Sequence, residues 1–432
     1  MNAALVLLVS FFFLVFTGVP IAFALGISAF IAGCFILPPE IILTIISQRM
    51  VSGLDQFSLL AIPFFILAGV LMNHGGIARR LIALALVLVG RTPGSLGHVN
   101  VLANMMFGSI SGSATAAAAA VGSAMSPMQR KAGFPDTYSA AVNISSCVTG
   151  LLIPPSNVMI IYAVTAGNIS IAALFAAGYL PGFLMGFALM VTGYFLSKRA
   201  GYAVGERSTI RDKLKAFVTA LPSLALIIIV IGGILAGVFT ATEASAVAVL
   251  YAFFLSVFVY REISLKDIYK VIVESVTTTA LVLILVSLSI AMSWVMTRAD
   301  IPQMITEALL AISENPLILL LIINLILIAV GIFMDMTPAI LIFTPIFLPV
   351  ATSLGMDPLH FGIMMIFNLC IGLFTPPVGI ALFIGCSVAG VSIHSVIRPL
   401  FPFFVAMVAA LVLITSFPQL SLALPQFLGL YK

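Results

Sequence analysis

Long apolar runs separated by short polar or proline-containing breaks dominate the chain. Runs near 3–16, 20–37, 57–73, 136–166, 172–197, 216–238, 242–259, 271–297, 358–388 and 397–416 predict membrane-spanning helices. Thr17-Gly18-Val19-Pro20 looks like a break between the first two, although one long tilted helix would also cover them. Segments 39–53, 77–90 and 301–312 carry charges near their ends and predict interfacial helices. Two further apolar stretches, 93–132 and 315–354, are interrupted midway by polar or helix-breaking residues. Each predicts a re-entrant hairpin that enters and leaves on one side of the membrane. A transmembrane barrel would show alternating segments of about 10 residues, and none is seen.

Composition agrees with this pattern. The 432 residues are 62% hydrophobic and only 7% charged, whereas soluble domains are about 25% charged. The first apolar run has no basic segment before it and reads as a retained span, not a cleaved signal. Four cysteines (Cys34, Cys147, Cys370, Cys386) lie in apolar runs without a C-x-x-C pair, so buried thiols are expected. The four histidines are scattered and suggest no metal site.

Charge placement sets the orientation. With the ends of the first hairpin in the cytoplasm, 15 Lys and Arg fall inside, among them Arg79, Arg80, Arg91, Arg130, Arg207 and Arg398. Only Arg49, Arg298 and Lys432 remain outside, the asymmetry expected of cytoplasmic loops. Both termini then face the periplasm.

The chain also repeats. At an offset of 222 residues, Ile110 meets Ile332, Thr115 meets Thr337, Pro127 meets Pro349 and Gly150 meets Gly372. Pro154-Pro155 likewise meets Pro376-Pro377, and Ser170 meets Ser392. Residues 1–200 form the first repeat, 201–215 a cytoplasmic linker and 216–432 the second repeat. Each repeat holds scaffold spans, an interfacial helix, a hairpin and a broken helix (136–166 or 358–388). An odd number of spans per half inverts the second repeat. The expected fold is an all-α polytopic membrane protein with inverted repeats.

Irregular backbone at membrane depth is tolerated only where protein buries it or it lines a polar cavity. Broken helices in inverted repeats therefore point to a substrate and ion site near the midplane. Four breaks are expected to converge: Ser109 to Thr115, Pro154 to Asn157, Asp335 to Pro338, and Thr375 to Gly379. Proline cannot continue the helical ladder, so each Pro-Pro pair frees upstream carbonyls. Those carbonyls and nearby hydroxyls are hard ligands suited to Na+. The half-helices expected to begin at Ser156 and Val378 would offer N–H groups to an anion.

Two Na+ sites are expected. Ser109, Ser111, Ser113 and Pro154 would serve one; Asp335, Thr337 and Thr375 would serve the other. Substrate contacts are expected at Ser113, Thr115, Ser156, Asn157, Asp335 and Gly379. Each has a plainer competitor. The hydroxyls of the first tip also fit small-residue helix packing. Asp335-Met-Thr-Pro338 also fits a helix cap. Asn143 and Asn368 read more simply as helix–helix hydrogen bonding. Glu243 reads as an interfacial cap, and Trp294 near Arg298 as an interface anchor. Gly108-Ser-Ile-Ser-Gly112 is neither a nucleophile elbow nor a P-loop. An embedded enzyme finds little support in one isolated aspartate, and a purely structural subunit would not need paired helix breaks.

At these residues the chain resembles the large membrane subunit of tripartite ATP-independent periplasmic (TRAP) transporters, the DctM-like permeases. The likeness covers essentially the whole chain. It rests on Gly108-Ser-Ile-Ser-Gly-Ser113, Pro127-Met128, Ile153-Pro-Pro-Ser156 and Ser170-Ile171 with Ala177-Gly-Tyr-Leu-Pro-Gly182. It rests further on Thr240-Ala-Thr-Glu-Ala244 and Asp357-Pro-Leu-His-Phe361 with Thr375-Pro-Pro377. Gly133-Phe134 stands where Gly-Tyr is expected, away from the site.

The resemblance implies a Na+-driven secondary transporter of elevator type in the bacterial inner membrane. It implies a small four-span DctQ-like subunit, here expected as a separate chain, and a DctP-like periplasmic binding protein. The implied cargo is an organic acid such as a C4-dicarboxylate, sialic acid or another sugar acid. A stand-alone Na+/dicarboxylate or citrate symporter of related architecture is the competing reading.

Overall fold

A computed structural model describes residues 3–89, 92–167, 169–202, 209–313 and 315–431. Arg91, Arg207, Lys432 and linker positions 203–208 lie outside the described residues. Eight helices among the described residues are long and apolar enough to cross a membrane. The first two apolar runs form separate helices, Ala3–Phe16 and Ile21–Gly33, which pack against one another. Pro20 explains the division, since it has no N–H to continue the first helix. Helices Pro39–Leu54, Ile77–Val89 and Ile301–Leu310 occupy the segments expected at the interface.

Both apolar stretches with central interruptions fold as helical pairs. The first pair is Ser95–Ser111 and Ala114–Lys131; the second is Pro316–Phe333 and Met336–Ser353. The first turn needs Gly112, whose φ of 61° lies in the left-handed region that a side chain disfavours. Both expected broken helices are also divided. Asp136–Ser146 resumes as Asn157–Ala166, and Pro358–Gly372 resumes as Ile380–Ala389. The resumed helices start one or two residues later than the proline rule predicts, because Ser156 and Gly379 adopt non-helical cap conformations.

The same order of elements thus occurs in each half: a span, a short helix, a hairpin, a broken helix and a long helix (Ile171–Ala200 or Ile393–Ser416). Each hairpin fits its own broken helix through glycine. A Cβ on Gly150 would meet backbone atoms of Gly108 at 2.2 Å, and one on Gly372 would meet Gly331 at 2.5 Å.

Polar side chains then tie the pairs together. Asn104 Nδ2 donates to Asn100 Oδ1 at 2.8 Å, Asn143 Oδ1 at 3.1 Å and Ser146 Oγ at 2.7 Å. In the second half, Asn368 Nδ2 donates to the carbonyl and side-chain oxygens of Asn324, both at 2.8 Å. Replacing Asn104 with Leu should lower the thermal unfolding midpoint in detergent. Interhelical hydrogen bonds in membranes average about 0.6 kcal/mol and reach about 1.7 kcal/mol, and Asn104 makes two, to Asn143 and Ser146. An unchanged midpoint would show that this group contributes no stability.

The hairpins also exchange partners. The second arm of the first hairpin packs on Ile380–Ala389, and that of the second hairpin packs on Asn157–Ala166. Tyr162 donates to the Pro358 carbonyl across the halves at 2.6 Å. Around this unit stand the other long helices: Ala61–His74, Ile210–Leu235, Ala241–Phe254 and Leu265–Arg298. Glu243 caps its helix through Thr240, as read from the sequence, and Arg298 lies 5.7 Å from the Trp294 ring. A C-terminal helix, Gln419–Phe427, was not anticipated; it packs on Ile171–Ala200 and Pro358–Gly372.

Candidate functional site

Each hairpin tip abuts a half-helix. A Cβ on Gly112 would lie 3.1 Å from Asn157 Nδ2, so the first turn sits directly on the start of Asn157–Ala166. At the second tip, Gly379 N–H donates to the Ile332 carbonyl at 3.1 Å. The tips and half-helices enclose one cavity of about 540 Å3. Ser111, Ser113, Thr115 and Asn157 line it from the first half, and Asp335 and Thr337 from the second.

Ser113 is the cap of the second arm of its hairpin; its Oγ accepts from Ala116 N–H at 3.3 Å and lies 2.9 Å from Thr115 Oγ1. Capping and cavity lining therefore coexist at this residue. Asp335 holds the matching cap position, yet its side chain makes no capping hydrogen bond. Its side chain is exposed and on the cavity wall. Asn157 Oδ1 is buried without a hydrogen-bond partner, a cost that native proteins normally avoid unless something else satisfies the group.

Other expected site residues lie off this wall. Ser109 Oγ donates within its own helix to the Met106 carbonyl at 2.9 Å. Ser156 is fully buried, and its hydroxyl donates to the Leu151 carbonyl across the break. Thr375 Oγ1 donates to the Ile371 carbonyl at 2.6 Å. Pro154 and Gly379 are buried, and the Gly379 N–H is already engaged with the second hairpin. These side chains and that N–H shape the breaks. Ser156 closes a carbonyl across the break, whereas Ser109 and Thr375 bond back to a carbonyl one turn earlier, the usual local partner of a helical hydroxyl.

The cavity also has a wall that sequence reasoning missed. Asn73 comes from Ala61–His74, and Glu274 and Thr278 come from Leu265–Arg298. Glu274 Oε2 lies 2.9 Å from His74 Nε2. The signal was present in Glu274-Ser-Val-Thr-Thr-Thr279, a polar run inside an apolar helix. Among the described residues, no cluster of three His, Cys, Asp or Glu side chains could hold a metal. A cation here would rely on carbonyl and hydroxyl oxygens with Asp335.

Sequence comparison identifies the chain's relatives. The model of the "Tripartite ATP-independent periplasmic transporter, DctM component" family matches residues 8–420. The chain belongs to the DctM family. YgiK of Salmonella typhimurium is 55% identical to this DctM-family chain, with 98% of the chain and 97% of YgiK aligned. The sialic acid TRAP transporter large permease protein SiaM of Vibrio cholerae is 42% identical, over 96% of the chain and 97% of SiaM. Among solved structures, the YdaH transporter of Alcanivorax borkumensis superposes with a TM-score of 0.65 at 12% identity. The match covers 84% of the chain and 86% of YdaH and shows a shared fold. As a DctM permease, the protein is a transporter component and not an enzyme.

Proposed function

We propose that this DctM permease imports a small organic acid by coupling it to Na+, with an elevator movement of one body against another. The observation that carries the reading is the convergence of both hairpin tips and both half-helices on one cavity. In inverted-repeat transporters such breaks supply carbonyls to cations and half-helix N-termini to anions. The two similar halves then act as inverted repeats, 1–200 and 216–432, joined by the 201–215 linker. The hairpins and broken helices form the moving body, and helices 57–74, 210–259 and 265–298 form the scaffold.

Na+ would be a co-transported substrate. Asp335, Thr337 and the carbonyls of the second tip suit one ion; Ser111, Ser113 and the carbonyls near Pro154 suit the other. The anion's carboxylate suits the N–H groups of Asn157, Val158 and Met159, which precede the first intrahelical bond, from Ile160 to the Ser156 carbonyl. Ser113, Thr115 and the Asn157 amide flank that position.

The positive-inside distribution of Lys and Arg supports an orientation with both termini in the periplasm and His74 near the cytoplasm, close to Arg79 and Arg80. The cavity wall bearing Asn73 and Glu274 then faces inward, and release to the cytoplasm is the step this conformation serves. A periplasmic binding protein delivers the acid, and a small four-span membrane subunit completes the complex. The three-part organisation named in the family supports this reading, and the bacterial inner membrane is where such a complex would act.

Uptake into proteoliposomes containing all three components should collapse when external Na+ is replaced by K+. Uptake that persists in K+ would remove Na+ coupling. Uptake that proceeds without the binding protein would show a stand-alone symporter instead.

A further inference from the structure

We infer that the permease binds an anionic phospholipid, with the headgroup phosphate between Arg199 and Arg398, in a cavity apart from the transport cavity. The site goes beyond the transport reading and uses none of the residues assigned to it. The end of Ile171–Ala200, the first turns of Ile393–Ser416 and the start of Asp136–Ser146 form its walls. Its volume is about 500 Å3.

The side chains of this cavity call for a phosphate. Arg199 and Arg398 line it from different helices, and no acidic side chain among the described residues does. Neither guanidinium has an ion pair or hydrogen bond among the described residues. Asp136, between the lining residues Pro135 and Thr137, is held by Arg130 at 2.9 Å. Two forked donors on one cavity suit phosphate oxygens, and Thr137 and Tyr202 add hydroxyls to the wall. The segment that carries Tyr202 is fixed in place. Gly201, with a φ of 70°, ends its helix in the left-handed region, and Tyr202 N–H donates back to the Ser197 carbonyl at 3.1 Å. The Tyr202 ring lies 5.0 Å from the rings of both Phe134 and Tyr138. A bias of basic residues towards the cytoplasm explains arginines at this edge. It does not explain why two helices bring them to one cavity with a fixed aromatic wall.

The next turn of each helix marks the ligand as a lipid. Phe401 stands three residues from Arg398, and Phe195 four residues from Arg199, so each phenylalanine shares a helix face with its arginine. Both rings lie one turn further into the membrane, and both are exposed, at 63% and 64%. Val405 and Val191 extend the two faces by another turn and are exposed as well. Positive charge at the edge with bare apolar surface beneath it matches a phospholipid, whose phosphate sits above its acyl chains. A soluble phosphate ester would leave both rings uncovered. Because Pro135 and Thr137 stand at the start of the first broken helix, a lipid held here would brace the helix on which both arms of the first hairpin pack.

The test uses the purified full-length permease in detergent and reads its thermal unfolding midpoint against added dioleoylphosphatidylglycerol. Dioleoylphosphatidylcholine is the zwitterionic arm, and glycerol phosphate is the soluble arm. A ligand that binds only the folded state raises the midpoint according to its affinity. The expected result is a saturable rise with phosphatidylglycerol that neither other compound matches. In the double variant Arg199→Gln/Arg398→Gln, the half-maximal rise should need roughly 30-fold more phosphatidylglycerol, since each basic side chain near an anionic lipid surface is worth about 1 kcal/mol. Lys213→Gln/Lys215→Gln removes the same charge from the exposed start of Ile210–Leu235 and should leave the titration unchanged. Should the double arginine variant fail to fold, Arg398→Gln alone carries the test, with an expected shift of roughly fivefold. No rise with phosphatidylglycerol, or an equal rise with phosphatidylcholine, overturns the proposal. An equal rise with glycerol phosphate overturns the lipid and leaves a soluble phosphate ester as the ligand. Equal losses in the arginine and lysine variants overturn the site, because overall charge alone would then govern binding.

Discussion

Replacing Gly150 with alanine should abolish transport and destabilise the permease by roughly 3 kcal/mol or more, the upper range for overpacking a close-packed interior. The added methyl would stand 2.2 Å from backbone carbons of Gly108. Backbone cannot rotate aside as a side chain can. The first hairpin and its broken helix would have to separate, and with them the Asn104 hydrogen bonds and the turn at Gly112 that positions Ser113. Thermal unfolding and Na+-driven uptake would both report the change. Gly232→Ala is the control, because nothing lies within 4 Å of a Cβ there. Equal behaviour of the two variants would mean that the Gly108–Gly150 contact does not hold the hairpin in place.

Asp335→Asn is expected to act differently. The fold should persist, because the Asp335 side chain makes no capping hydrogen bond and asparagine has nearly the same shape. Na+ dependence should not persist. Two unit charges about 4 Å apart interact by roughly 4 kcal/mol at an effective dielectric of about 20. Losing even half of that raises the half-saturating Na+ concentration roughly 30-fold. The measurement is initial uptake against Na+ concentration, with the midpoint of thermal unfolding as the check on folding. A Na+ titration superimposable on wild type would take Asp335 out of the cation site.

Much of this architecture was legible in the sequence, for reasons that can be named. Proline pairs at Pro154-Pro155 and Pro376-Pro377 break helices wherever they occur, so the two divided helices could be read directly. The offset of 222 residues that aligns those pairs also aligns Gly150 with Gly372, and both glycines face the backbone of their hairpin. Asn143 and Asn368 proved to be the interhelical hydrogen-bonding residues that their apolar surroundings suggested.

The site was less legible. Ser109, Ser156 and Thr375 have the right chemistry but spend their hydroxyls on nearby carbonyls. Sequence shows that a hydroxyl is available, not whether a nearby carbonyl captures it. Gly379 was read as a free N–H at a helix start, but the second hairpin lies close enough to accept from it. Glu274 and Asn73 escaped notice because they belong to intact helices. Their position on the cavity depends on how those helices pack against the hairpins, which no local pattern encodes.

The first and last described helices pack on different partners. Helix Ala3–Phe16 packs on Ile21–Gly33, which in turn packs on Leu265–Arg298. At the other end, Gln419–Phe427 rests on Ile171–Ala200, and the Tyr431 hydroxyl donates to Asp357 Oδ2 at 2.9 Å. Asp357 is the cap of the second broken helix. Under the proposed elevator movement, the first helix would travel with the static frame and the last residues with the moving body. The separation between the two termini would then be a built-in ruler for transport, expected to change as the cavity turns from one side of the membrane to the other.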